Sequence, residues 1–153
     1  MIGISIIILH ILLIMIADIE GNTEGLLWHC NTKANDELKD DYHPLFSFKR
    51  AIIILAFYSP ISILVYYQAI PIISFVLFVI SLPCFFPYFH IGKMYVTRNQ
   101  FNPFIYEQGY KAEPSVNSHS LRARNNLSYK QRLNLLYLGL ITLLSGYILI
   151  YVL

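Results

Sequence analysis

The sequence has few charged residues and few cysteines. Asp, Glu, Lys and Arg make up 13% of the 153 residues, about half their usual share in a soluble domain. Two cysteines are too few for a disulfide scaffold, and a hydrophobic content of 56% excludes a disordered chain. A net charge of +2 does not by itself indicate binding to nucleic acid. Together with a mean hydropathy of +0.54, this composition predicts an integral membrane protein.

The charged residues form two blocks and leave three long uncharged stretches. All 20 charged side chains lie within 18–50 or 93–132. A helix needs roughly 20 residues to cross the hydrocarbon of a bilayer. The first and last uncharged stretches therefore predict one span each, and the middle one, 51–92, predicts two. We expect an all-α integral membrane protein, a compact bundle of four transmembrane helices with two cytoplasmic loops, in a single membrane domain over residues 1–153.

The expected spans are 2–18, 51–69, 72–91 and 133–152, and the loops between them are 19–50 and 92–132. The middle hairpin should turn at 68–71, because Pro71 disfavours helical geometry in the residue before it. The first span lacks the Lys or Arg of a signal peptide, so we interpret it as uncleaved. No Asp, Glu, Lys or Arg falls within the three uncharged stretches, 1–17, 51–92 and 133–153, which argues against a pump, a proton-coupled transporter or a voltage sensor.

The distribution of basic residues predicts the orientation. All eleven Lys and Arg lie in the two loops, which four spans would put on the same side of the membrane. By the positive-inside rule that side is the cytoplasm, with the N- and C-termini outside. The stretch 18–50 has a net charge of −3 and the stretch 92–134 has +5. These stretches could pair with each other, or the basic one could bind anionic membrane lipid.

Small and hydroxyl-bearing residues predict how the helices pack, because such residues let helices approach closely in lipid. They recur at helical spacing in three groups, namely Gly139, Thr142 and Gly146 on the fourth helix, Ala56, Ser59 and Ser62 on the second, and Ser74 and Ser81 on the third. Ser128 and Gln131 match a capping box, which predicts that the last helix begins in the cytoplasm.

The histidines and cysteines are the candidates for chemistry. A haem held by His10 and His90 would need both at similar depth, and we expect His10 near mid-membrane and His90 at the cytoplasmic end of its span. His29, Cys30 and His43 could form a metal site, but their spacing matches no metal motif, and a solvated loop is the preferred interpretation. Cys30 beside His29 lacks any residue that would orient the pair as a nucleophile and base. We therefore predict no catalytic, cofactor-binding or metal-binding residues.

The remaining features indicate a binding protein. Residues 101–106 form an apolar, aromatic island with Pro103 that could dock on a partner or pack beneath the bundle. We expect a non-enzymatic multi-pass protein of the bacterial inner membrane that binds another integral membrane protein, with no nucleic acid and no small-molecule substrate. In general features alone it resembles bacterial immunity or exclusion proteins, which bind a toxin or a conjugation component. The alternatives are an accessory subunit of a larger membrane complex, and a membrane redox or enzyme component that uses His10, His90 or Cys30.

Overall fold

The fold is helical. The computed structural model describes residues 2–31, 42–67, 70–101, 103, 108–114 and 127–152. Its helices are α1 (Ile2–Asn31), α2 (Tyr42–Tyr66), α3 (Ile72–Phe101) and α4 (Tyr129–Val152), with one 3-10 turn at Gly109–Lys111. These residues include no β-strand. The expected all-α class is confirmed.

Three of the helices are long and apolar enough to cross a membrane. The stretches are Ile6–Leu27, Ile72–Phe101 and Tyr129–Val152. They are compatible with the membrane protein that the composition predicts. The helix α2 covers most of the expected second span, beginning at Tyr42 instead of residue 51 and ending at Tyr66.

The first helix extends well beyond its expected end. The expected first span ends at residue 18, because acidic residues follow, but α1 continues without a break to Asn31. Its apolar stretch Ile6–Leu27 therefore contains Asp18, Glu20 and Glu24. The prediction that a loop begins at residue 19 is wrong. The physical reason is tertiary: these carboxylates contact basic side chains on neighbouring helices.

The helix α3 is the centre of the fold. It packs along α1 and along α4, whereas α2 makes far less contact with it. At the uncharged end, Ile6, Leu9, Ile61, Ile70 and Phe78 form one buried apolar cluster. The start of α1, the end of α2 and the start of α3 thus meet there. The charged side chains that the structure describes lie toward the other end, called the charged end below.

The expected close-packing face of α4 is confirmed. Gly139, Thr142 and Gly146 are all buried. A methyl group added at Gly146 would lie 2.7 Å from Cε1 of Phe78, and one at Gly139 would lie 3.1 Å from Cβ of Cys84. Such close contacts leave no room for larger side chains. The face of α4 that carries the glycines therefore sets its distance from α3.

The predicted packing face of α3 is confirmed, whereas that of α2 is not. Ser74 and Ser81 of α3 are completely buried, as predicted. Ser59 and Ser62 of α2 are exposed, so the prediction that this face packs inside the bundle is wrong. The side chain of Ala56 lies outside the described residues. Because α2 lies at the edge of the bundle, its face of small residues points away from the other helices.

The expected capping box begins α4. The backbone N–H of Gln131 donates to Ser128 Oγ at 3.2 Å, and the backbone N–H of Ser128 donates to Gln131 Oε1 at 2.8 Å. The carboxylate of Glu113 also accepts a hydrogen bond from the backbone N–H of Tyr129, at 3.0 Å to the nearer oxygen. These contacts satisfy amide groups that a helix N-terminus leaves without partners.

Candidate functional site at the charged end

At the charged end, α1 and α3 approach each other through two glycines. Gly21 and Gly25 are both buried, four residues apart on one face of α1. A methyl group at Gly21 would overlap the backbone carbonyl of His90, and one at Gly25 would lie 2.6 Å from Cβ of Thr97. This is the small-xxx-small spacing that brings helix backbones together in lipid. The close approach aligns polar side chains of α1 with those of α3.

A buried ion pair joins α2 to this crossing. Arg50 Nε of α2 donates to Glu20 Oε2 of α1 at 2.5 Å. Glu20 is 1% exposed, and its other oxygen, Oε1, accepts no hydrogen bond from the part of the chain that the structure describes. The guanidinium of Arg50 lies 4.4 Å from the centroid of the Phe86 ring of α3, a cation–π contact. One side chain of α2 therefore contacts both α1 and α3.

His90 of α3 lies between two groups of opposite charge. Its Nε2 is 3.1 Å from Glu24 Oε2 of α1 and 3.5 Å from Arg50 Nη2 of α2. The imidazole also stacks on the Phe86 ring, with centroids 5.0 Å apart and planes inclined by 20°. The Glu20, Glu24, Arg50 and His90 side chains, called the polar cluster below, thus connect three helices.

Two further polar contacts flank the polar cluster. Thr97 Oγ1 donates to Asn22 Oδ1 at 2.8 Å, and Lys93 Nζ lies 3.6 Å from Asp18 Oδ2. The second pair joins the acidic stretch of the sequence to the basic one, as one of the two sequence-based alternatives expects. Its side chains are 42% and 33% exposed for Asp18 and Lys93, so it contributes at most about 1 kcal/mol.

A second buried charge holds the segment 108–114 against the helices. Arg132 of α4 is 0% exposed. Its Nη2 donates to the carbonyl of Ala112 at 2.8 Å, and its Nη1 donates to that of Tyr110 at 3.1 Å. The rings of Tyr95 and Tyr129 lie 5.5 and 5.6 Å from the guanidinium carbon. Carbonyl dipoles and aromatic faces thus surround this cation, and it fixes the segment in place.

Tyr110 also holds the segment 108–114 against α3. Its ring lies against Gly92 so closely that a methyl group there would overlap it, and its hydroxyl donates to the carbonyl of Phe89 at 3.2 Å. Burial raises the pKa of Tyr110 to about 12, and the negative charge of Asp18 acts in the same direction. The Tyr110 ring therefore anchors the segment 108–114 to α3, in addition to the contacts of Arg132.

His10 has a local structural role. Its Nδ1 donates to the carbonyl of Ile6 at 2.8 Å, and its Nε2 lies 2.7 Å from Ser81 Oγ of α3. Its ring meets the Phe85 ring edge-on, with centroids 5.8 Å apart. Ser81 Oγ is also placed to donate to the carbonyl of Phe78, at 2.7 Å. Both ring nitrogens of His10 therefore have partners within the protein.

The other predicted candidates lie apart. Ser81, at the level of His10, is nine residues before His90 on α3, which corresponds to about 13 Å along the helix. His29 stacks on the Phe101 ring with centroids 3.8 Å apart. The side chains of Cys30 and His43, and residues 32–41, lie outside the described residues. Within the described ranges, no three His, Cys, Asp or Glu residues are grouped so that they could hold a metal ion.

The polar cluster is the feature that sequence reasoning missed. The signal was present in the spacing of Gly21 and Gly25, which matches a helix-packing motif, and in that of Glu20 and Glu24, which lie one turn apart. It was overlooked because acidic residues favour a loop when they are considered without their partners. Of the island 101–106, the structure describes Phe101, which stacks on His29, and Pro103, which is exposed.

No protein-family model, curated protein or solved structure matches this chain.

Proposed function

We propose that the protein is a multi-pass protein of the bacterial inner membrane that acts by binding another integral membrane protein, without catalysis. In this proposal α1 to α4 all cross the bilayer. The charged end faces the cytoplasm, and both termini are outside. The most specific form of the proposal is an immunity or exclusion protein directed against a toxin or a conjugation component. An accessory subunit of a larger membrane complex is the second form.

The outward surface of α2 carries this proposal. Among the described side chains of α2, Ile61 alone is buried. Ser59 and Ser62 point away from the bundle, although small hydroxyl residues are the kind that let one helix pack closely on another in lipid. Against lipid chains they contribute little. This face of α2 is therefore suited to contact with a helix of another membrane protein.

The polar cluster supports a structural role for the ionisable residues of this chain. Glu20 contacts Arg50, and Glu24 contacts His90, so each carboxylate has a partner on a neighbouring helix. Polar contacts of this kind fix the relative positions of helices, because a buried charge would be costly to leave unpaired in a low-dielectric setting. A rigid α1–α3 pair is a scaffold on which α2 is presented.

Site-specific photo-crosslinking tests the proposal. A photo-reactive amino acid is introduced at Ser62 of α2 or, as the matched control, at Leu144 of α4, which is 60% exposed. We expect Ser62 to give a discrete crosslink to one membrane protein, and the purified pair to reproduce it. Leu144 should give none. Equal crosslinking from both sites, or lipid adducts alone from Ser62, would refute the proposal.

Reporter fusions test the proposed topology separately. A reporter fused after Leu153 should be active outside the cytoplasm, and one inserted after Lys111 should be active inside it. A cytoplasmic signal from Leu153 would rule out the proposed arrangement, in which four spans leave both termini outside. The identity of the crosslinked protein separates the two forms of the proposal, because a toxin target or conjugation component indicates immunity or exclusion.

A further inference from the structure

We propose that His90 is a pH-sensitive switch that controls how firmly α2 is held at the charged end of the bundle. The observation that carries this inference is the position of one ring atom. His90 Nε2 faces Glu24 Oε2 at 3.1 Å and Arg50 Nη2 at 3.5 Å. The first group belongs to α1 and the second to α2.

These two neighbours require opposite hydrogen-bonding roles of the same nitrogen. A carboxylate can only accept a hydrogen bond, and a guanidinium can only donate one. When Nε2 has a lone pair, it accepts from Arg50. When His90 is protonated on both nitrogens, Nε2 donates to Glu24, and the imidazolium repels Arg50. Protonation therefore moves His90 from a partner of α2 to a partner of α1.

Charged groups from two neighbouring helices face the His90 ring. On α1, Glu24 contacts the ring directly, and Glu20 lies behind Arg50. Among the described side chains of α2, Arg50 faces the ring, and on α3 the Phe86 ring stacks on the imidazole. The side chains of His90 and Glu24 are 12% and 23% exposed, so solvent can reach the contact between them.

The consequence falls on α2 because Arg50, among the described side chains of that helix, joins it to both α1 and α3 at this end. With His90 neutral, Arg50 contacts Glu20, the Phe86 ring and His90. With His90 charged, the Phe86 ring is shared by two cations, and repulsion opposes the remaining contacts. Acidification through the titration range of the imidazole thus loosens the charged end of α2. The effect on a partner rests on the proposed function, but the switch itself is tested without a partner.

Distances between spin labels measure the switch in the full chain. Cys30 and Cys84 are replaced by Ser and Ala, and labels are placed at Phe48 of α2 and Gln100 of α3, both exposed. Between about pH 8 and about pH 5, the range in which histidine titrates, we expect the α2–α3 distance to shift to longer values. A reference pair at Leu26 of α1 and Gln100 should keep its distance.

Three variants make the test specific. His90→Gln should hold the short distance at both pH values, whereas His29→Gln, a control at the same end, should retain the shift. The double variant Glu20→Gln/Arg50→Gln removes the link without leaving a buried unpaired charge, and should give the long distance at both pH values. The reference pair reports whether each variant keeps its fold. An unchanged distance in the original chain, or a shift that persists in His90→Gln, overturns the proposal.

Discussion

Glu20 and Arg50 form an ion pair in which the two partners differ sharply in exposure. The carboxylate side chain is 1% exposed, and the guanidinium side chain is 34% exposed. Arg50 can therefore return to solvent if the pair breaks, whereas Glu20 would remain in a buried site. Because an unpaired buried charge is costly, the stability of the α1–α3 crossing depends on the arginine that α2 supplies.

Removing one partner of this pair should cost more than removing both. Arg50→Gln leaves Glu20 buried and unpaired, and we expect a loss of about 3 kcal/mol in the free energy of unfolding. Glu20→Gln/Arg50→Gln should lose less, because it leaves no buried charge. Denaturant titration of the protein in detergent, followed by circular dichroism, measures the difference between the variants.

The exposed pair at the same end is the control for that experiment. Asp18→Asn and Lys93→Gln remove the partners of a contact that is 3.6 Å long and partly exposed. Each should change the free energy of unfolding by less than about 1 kcal/mol. If these variants cost as much as Arg50→Gln, burial of Glu20 is not the cause of the larger effect.

Enlarging Gly21 should separate α1 from α3. A methyl group there overlaps the backbone carbonyl of His90, which cannot rotate away as a side chain could. We expect Gly21→Ala to destabilise the protein by about 1–3 kcal/mol, the usual cost of overpacking. The melting temperature in detergent measures it. Ile19→Phe, a larger change at a position that is 57% exposed on the same helix, should leave that temperature nearly unchanged.

Loss of Arg132 should free the segment 108–114. Arg132→Met keeps much of the side-chain volume but removes the donors to the carbonyls of Tyr110 and Ala112. Each hydrogen bond to a charged group contributes about 1.5–3 kcal/mol, so we expect clearly faster cleavage in this segment during limited proteolysis. Lys130→Met, at an exposed position in the same turn, is the matched control. Equal cleavage of both variants would show that Arg132 does not anchor the segment.

The contact between His10 and Ser81 should give a modest stabilisation. Ser81→Ala removes the hydroxyl 2.7 Å from the imidazole and leaves the helix backbone intact. Polar contacts between helices in a membrane are each worth about 0.6–2 kcal/mol. The melting temperature should fall accordingly, while an absorption spectrum of the purified protein should lack a Soret band. A Soret band that Ser81→Ala alters would mean that His10 binds haem instead.

Tyr110 should make the protein sensitive to alkali. Its pKa is raised to about 12 in the folded protein, against about 10 in an unfolded chain. The unfolded chain therefore releases this proton first, and the stability associated with Tyr110 is present below about pH 10 and lost as the pH rises toward 12. The original protein should melt at a higher temperature than Tyr110→Phe at about pH 9, and this difference should become smaller by about pH 11.5. Tyr66→Phe, at a position that is 81% exposed, is the control.

The sequence allowed the apolar helices to be predicted better than the site. Uncharged stretches locate α3 and α4 because the length and apolar composition of each helix can be read from its own segment of the sequence. The buried faces at Gly139 and Ser81 follow in the same way, from residue size. The extension of α1 to Asn31 could not be predicted by such reasoning, because Glu20 is compatible with a helix interior only through Arg50, which lies 30 residues away. The exposure of Ser62 likewise depends on where α2 packs, which no local pattern specifies.

The central position of α3 has a consequence for biosynthesis. The ribosome synthesises α1 and α2 before His90, so the glycine face of α1 has no backbone to pack on until the third helix emerges. During that interval Glu24 lacks its contact with His90, and Arg50 lacks the Phe86 ring. The first two helices therefore lack these contacts until the third helix completes the assembly. A nascent chain that stops before α3 lacks the element that would hold its helices together.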